Sequence, residues 1–205
     1  MSPRNRILGH VRAATATRPE APHPGRFDGT YATDDDRTPV ERFSDLFTTS
    51  GGEIERFEDV EAAARWLARY ADDYDGVTVG ATVPTALRPA LPSTCPDLAP
   101  LGVTLAAAAI AETGSLVLDA RDGRRTQLLA PTHVVFVKAR DIHSTLVDAL
   151  SDLRGDLPSA IGLHSGPSKS ADIGQILVRG VHGPGRIVAA ILGEHPDELR
   201  GGRHG

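Results

Sequence analysis

Apolar positions recur along this chain with two different periods, and the changes from one to the other mark its elements. Ile7, Leu8 and Val11 repeat at helical spacing behind Ser2, a capping residue, and Pro3, which suits a first helical turn. Residues 1–16 therefore predict an N-terminal helix that packs or docks. Residues 17–37 hold Pro19, Pro22, Pro24, Gly25, Gly29 and an acidic run at 34–36, with too few apolar positions for regular structure, and predict a linker. A T-x-x-E capping box at Thr38 and Glu41, with Pro39 between them, then opens a helix whose stripe is Val40, Phe43, Leu46 and Phe47. Gly51 and Gly52 end it. A strand at 53–57 follows, then a helix capped by Asp59 that faces Val60, Ala63, Trp66, Leu67 and Tyr70 inward, then a buried strand at 76–81.

Pro84, Pro89, Pro92, Pro96 and Pro100 bar long elements from the next stretch, leaving room for one short turn at Leu87. Strands are predicted at 103–105, 115–119 and 133–138, the last two joined by a charged turn at 121–125. Asp141 is placed to cap a helix running to Leu153, because Ile142, Leu146, Leu150 and Leu153 recur with helical period. A strand at 161–164 leads into a polar loop at 165–172, and the last apolar runs are 176–178 and 187–192. The polar, glycine-rich end, 196–205, reads as a flexible tail. The αβαβ opening predicts one α/β domain over 38–195, an open, largely parallel sheet flanked by helices.

Composition narrows the function. The chain has 205 residues, 40% hydrophobic and 24% charged, a balance typical of a folded domain. A net charge of −5 gives no general pull toward nucleic acid or an anionic membrane, and no apolar run approaches the length of a membrane span. A cytoplasmic protein with neither nucleic-acid binding nor membrane insertion is expected. The single cysteine, Cys95, cannot supply four thiolates to an iron–sulfur cluster, so any such cluster belongs to a partner. The four arginines and missing acids of residues 1–18 also fit an organellar transit peptide, but the helix signals favour a packed or docked helix.

Two segments carry candidate chemistry. The first is the loop and turn at 165–184, in which Gly166 frees the backbone to turn, and Ser168, Lys169 and Ser170 offer hydroxyls and a positive charge to a carboxylate or phosphate. Asp172 and His182 complete the set, His182 as an acid/base group or anion contact. The plainer reading is a capped turn in which Asp172 or Ser170 bonds backbone amides and Lys169 is solvated. The second is Glu112 with Thr113, Gly114 and Ser115. A carboxylate among small and apolar residues is suited to act as a base or nucleophile if desolvated, whereas the structural reading has Glu112 accepting backbone amides. The segments are expected to meet at the C-terminal edge of the strands and line one polar hollow. His133, His143, His164 and His182 match no metal-ligand spacing, so neither a metal nor another cofactor is predicted.

At these segments the chain resembles the lactate utilization protein C family of LUD-domain proteins. The resemblance rests on the AETGS turn, Ala111 to Ser115, and on Gly166, Pro167, Ser168, Asp172, Ile173, Val178, Gly180, Val181, His182, Gly183 and Pro184. It extends to an R-x-x-I-L-x-x-V-R-x-A pattern at 4–14, the V-E-R-F of 40–43, the Gly51-Gly52-Glu53 turn and the Pro131-Thr132-His133 step. It implies a fold like that of sugar-phosphate isomerases and CoA transferases. It also implies a non-redox role in L-lactate oxidation to pyruvate, beside iron–sulfur subunits, with a small carboxylate or phosphorylated ligand. The alternative is a free-standing isomerase or acyl-CoA transferase-like enzyme that uses Glu112.

Overall fold

The structure is a computed structural model that describes residues 2–16, 36–170 and 178–193. The chain divides into two units, Met1–Asp36 and Arg37–Gly205. The described part of the first unit is one helix, α1 (Pro3–Thr15), whose Ser2 hydroxyl accepts the Asn5 amide at 3.3 Å. Residues 17–35 of the expected linker at 17–37 and the expected tail at 196–205 lie outside the described residues.

The second unit follows the predicted order at its start: α2 (Pro39–Thr49), β1 (Glu53–Phe57), α3 (Val60–Ala71) and β2 (Val77–Val79). Both sides of the Thr38/Glu41 capping box are formed, and Asp59 accepts the Ala62 amide at 2.7 Å. A single turn of 3₁₀ helix at Thr85–Leu87 interrupts the proline-rich stretch. Then come β3 (Leu101–Leu105), β4 (Ala108–Ile110), β5 (Ser115–Asp119), α4 (Arg124–Leu129), β6 (Thr132–Lys138), β7 (Ile142–His143) and α5 (Leu146–Asp152). The described chain finishes with β8 (Ile161–His164), β9 (Lys169–Ser170), β10 (Val178–Arg179) and β11 (Arg186–Leu192).

Five strands form a wholly parallel sheet in the order β1-β11-β6-β3-β2. Strand alternation divides its side chains between two cores. Val134, Phe136, Val188 and Ala190 face Ala63, Leu67 and Ala71 of α3. Val135, Val137, Ile187, Ala189 and Ile191 face Phe43 and Phe47 of α2, together with Ala109, Leu116 and Leu118. Those last three belong to a second sheet, β7-β4-β5-β8, whose other face packs Ala108, Ile110 and Val117 on Ala149 of α5. The small sheet is thus covered on both sides. That accounts for the alanine run at 106–109, since small side chains let β4 pass between two packed layers.

Three expectations are corrected. The helix expected from Asp141 begins only at Leu146, capped by Thr145, whose hydroxyl accepts the Asp148 amide at 3.1 Å. Ile142 is drawn instead into parallel pairing with Ala109, which buries it in the central core. The charged turn expected at 121–125 contains a 3₁₀ turn, Ala120–Asp122, and the start of α4. Its pivot is Asp122, 4% exposed, whose two carboxylate oxygens accept the Thr82 amide at 2.7 Å and the Leu105 amide at 2.8 Å. The same carboxylate occupies the space beside Gly80, where a Cβ would lie 2.3 Å from it, and β2 spans only Val77–Val79, short of the expected 76–81. Among the described residues no helix is long and apolar enough to cross a membrane.

Candidate functional site

The hairpin between β4 and β5 presents Glu112, Thr113 and Gly114 at its tip. The Ala111 and Glu112 amides bond the His143 and Ser144 carbonyls at 2.8 and 3.1 Å, and Glu112 Oε1 accepts the Leu146 amide at 2.7 Å. Leu146 opens α5, so the Glu112 carboxylate satisfies one of the amides that a helix start leaves without an intrahelical partner. Gly114 has φ +58°, and a Cβ there would sit 2.7 Å from the Phe47 amide nitrogen. Glycine therefore lets the hairpin lie directly on the end of α2. Thr113 Oγ1 is 2.7 Å from Ser115 Oγ, which is 2.6 Å from Ser165 Oγ. This chain of three hydroxyls joins the two candidate segments.

Past Ser165 the backbone turns at Gly166, φ +105°, where a Cβ would lie 2.9 Å from the Ser50 carbonyl oxygen. Lys169 donates from Nζ to that same carbonyl, at the C-terminal cap of α2. A cation there complements the partial negative charge of the helix end. Ser168 braces the glycine turn at three points: its amide donates to the Pro184 carbonyl at 2.8 Å, its carbonyl accepts the Gly180 amide at 3.0 Å, and its hydroxyl accepts the His182 amide at 3.2 Å. Ser170 pairs with Val178 in the β9-β10 ribbon. Asp172 lies outside the described residues.

These contacts place the loop beside the starts of β1 and β11, the N-terminal side of the parallel sheet and not the expected C-terminal edge. The reason is topological. The loop leaves the C-terminal end of β8, but β8 belongs to the second sheet, and Ser168 is bonded to the residues that lead into β11. A hollow of about 560 Å³ opens on this side, lined by Leu128, Leu129, Pro131, Arg179, the 180–183 turn and Gly185. Of the expected site residues, His182 lines it. Glu112, Thr113, Gly114 and Ser115 meet the loop through Ser165 instead, and Lys169 is turned to α2. Arg179, Leu128 and Leu129 were missed. Arg179 stands as a lone cation within the V-x-G-V-H-G-P pattern, and the two leucines end α4, beyond the charged turn expected at 121–125 and in a stretch for which no element is predicted.

Histidines gather near this side. His133 is fully buried, with Nε2 2.8 Å from Thr104 Oγ1 and Nδ1 without a hydrogen-bond partner among the described residues. Burial, with a smaller contribution from nearby His164, pushes its pKa down to about 3. Burial lowers that of His164 as well. Among the described residues no three His, Cys, Asp or Glu side chains are grouped to hold a metal ion.

Residues 97–192 match the family model of the LUD domain. It is similar to lactate utilization protein C of Halalkalibacterium halodurans, 39% identical over 107 residues, which are 47% of this chain and 45% of that protein. It is similar also to lactate utilization protein C of Bacillus subtilis, 37% identical over 96 residues, 43% of this chain and 40% of that one. The chain thus covers less than half the length of these relatives. The fold matches a crystal structure of a DUF162 family protein from Deinococcus radiodurans with a TM-score of 0.60 at 20% identity, over 76% of this chain and 96% of that one.

Proposed function

We propose that this chain is a non-redox component of an L-lactate utilization system, acting in the cytoplasm beside iron–sulfur partner proteins, and that it binds a small carboxylate or similar anion at the 178–185 turn. The observation that carries the anion reading is the pairing of Arg179 with His182 on the wall of one hollow. A guanidinium offers a carboxylate two parallel N–H donors, and His182, on the glycine turn braced by Ser168, lines the same hollow. The names of the relatives support the lactate role. The single cysteine supports the non-redox role, because clusters must then reside on other subunits.

Calorimetric titration with L-lactate tests the anion site. Saturable binding is expected, lost in Arg179→Ala and weakened in His182→Ala. Heats equal to dilution for the unaltered protein end this reading. The partner role is tested by affinity purification from lactate-grown cells and by deletion. Recovery of iron–sulfur proteins and loss of growth on lactate are expected, and normal growth without such proteins counts against the role.

A further inference from the structure

Most large apolar side chains of the second unit are buried, yet three that are not surround the same hollow. Leu128 and Leu129 are 41% and 47% exposed on α4, and Val181 is 44% exposed on the glycine turn. Clustered in a concavity, such residues mark a ligand surface more strongly than the same residues scattered on a convex one. The volume points the same way. About 560 Å³ falls within the roughly 300–1,000 Å³ of sites that hold drug-sized molecules, well beyond the needs of a three-carbon acid. Arg179 and His182 are the lining residues with polar side chains, and among the described residues Arg179 forms no ion pair.

We infer that the hollow takes a carboxylate whose hydrocarbon body is longer than the methyl group of lactate, its head on Arg179 and His182 and its chain along Leu128, Leu129 and Val181. This rests on the anion reading above and extends it to a ligand class. Leu128 also lines a smaller cavity of about 140 Å³ with Leu118, Gln127, Ile161 and His164, so the apolar wall continues past the first hollow.

The test is a homologous series, L-lactate, 2-hydroxybutyrate, 2-hydroxyhexanoate and 2-hydroxyoctanoate, titrated calorimetrically into the full chain. Each added methylene is expected to tighten binding up to about fourfold while it finds apolar wall. Leu128→Ser and Leu129→Ser alter exposed positions and should flatten that gradient, and Arg179→Ala should weaken every member alike. Equal affinity for all members overturns this inference while leaving the anion site intact. Failure of every member to bind removes both. A gradient unchanged by Leu128→Ser and Leu129→Ser also overturns it, because the chain would then lie elsewhere.

Discussion

Ser115 and Ser165, 50 positions apart in the chain, share a hydrogen bond of 2.6 Å between their hydroxyls. Ser115 begins a strand of the small sheet and is 2% exposed, whereas Ser165 is the exposed first residue of the loop after β8. Their contact continues the antiparallel pairing of β5 with β8 for one further step, from Leu116 opposite His164. It ties the glutamate-bearing hairpin to the loop that braces the glycine turn.

Replacing Ser115 by alanine should lower stability by about 1 kcal/mol, since the hydrogen bonds of its buried hydroxyl to Thr113 and Ser165 are lost while those two exposed residues can turn to water. Urea unfolding of Ser115→Ala, Ser165→Ala and the double variant checks this. The two single losses should not add, as expected for one shared bond. Strict additivity would show that the serines act independently.

Asp122 binds two backbone amides from different connections, so Asp122→Ala leaves both without an acceptor. A loss of about 3 kcal/mol or more is expected, because each bond to a charged acceptor contributes roughly 1.5–3 kcal/mol. Asp122→Asn should recover part of it, as one amide oxygen remains. Chemical denaturation of both variants decides, and an Asp122→Ala protein as stable as the parent would contradict the assigned role.

His133 makes stability depend on pH. Its folded pKa, about 3, lies below the usual 6.5, so the unfolded chain takes up a proton as pH falls below 6.5 while the folded protein does not. Stability is therefore unaffected by this group above pH 6.5 and declines between pH 6.5 and 3, by about 1.4 kcal/mol per pH unit in the steepest part. His164, shifted in the same direction, adds to the decline. His133→Gln should show a shallower fall in unfolding free energy between pH 6.5 and 4 than the unaltered protein. Parallel curves would remove His133 as the cause.

Glu112 separates a structural from a catalytic carboxylate. Through its bond to the Leu146 amide it acts as a helix cap, so Glu112→Ala should cost about 1 kcal/mol of stability and Glu112→Gln, which keeps an acceptor oxygen, much less. In lactate-dependent growth, Glu112→Gln is expected to support the parental rate. Abolished growth with an intact fold would instead restore the catalytic reading.

Much of the architecture was legible along the chain because it depends on near neighbours. Thr38 with Glu41, Asp59 with Ala62, and the alternation within β6 and β11 each bring together partners a few residues apart, or repeat one residue class at a fixed period. What the chain did not show in advance depends on distant partners. Ile142 has a helical spacing with Leu146 but pairs as a strand with Ala109, since the buried edge of β4 offers backbone bonds and a dry core. Ala108 to Ile110 reads as an apolar run and becomes a strand only between two layers that cover both faces.

The site divides the same way. Residue types and order alone marked out the 112–115 and 165–184 segments, because turns that need glycine and polar side chains at set places are local demands. Tertiary structure decided that Glu112 faces α5, that Lys169 faces α2, and that Arg179, Leu128 and Leu129 share a hollow with His182. No local pattern encodes which side of a sheet a loop reaches. That follows from how two sheets and their helices stack, which is set by burying apolar faces contributed from the whole chain.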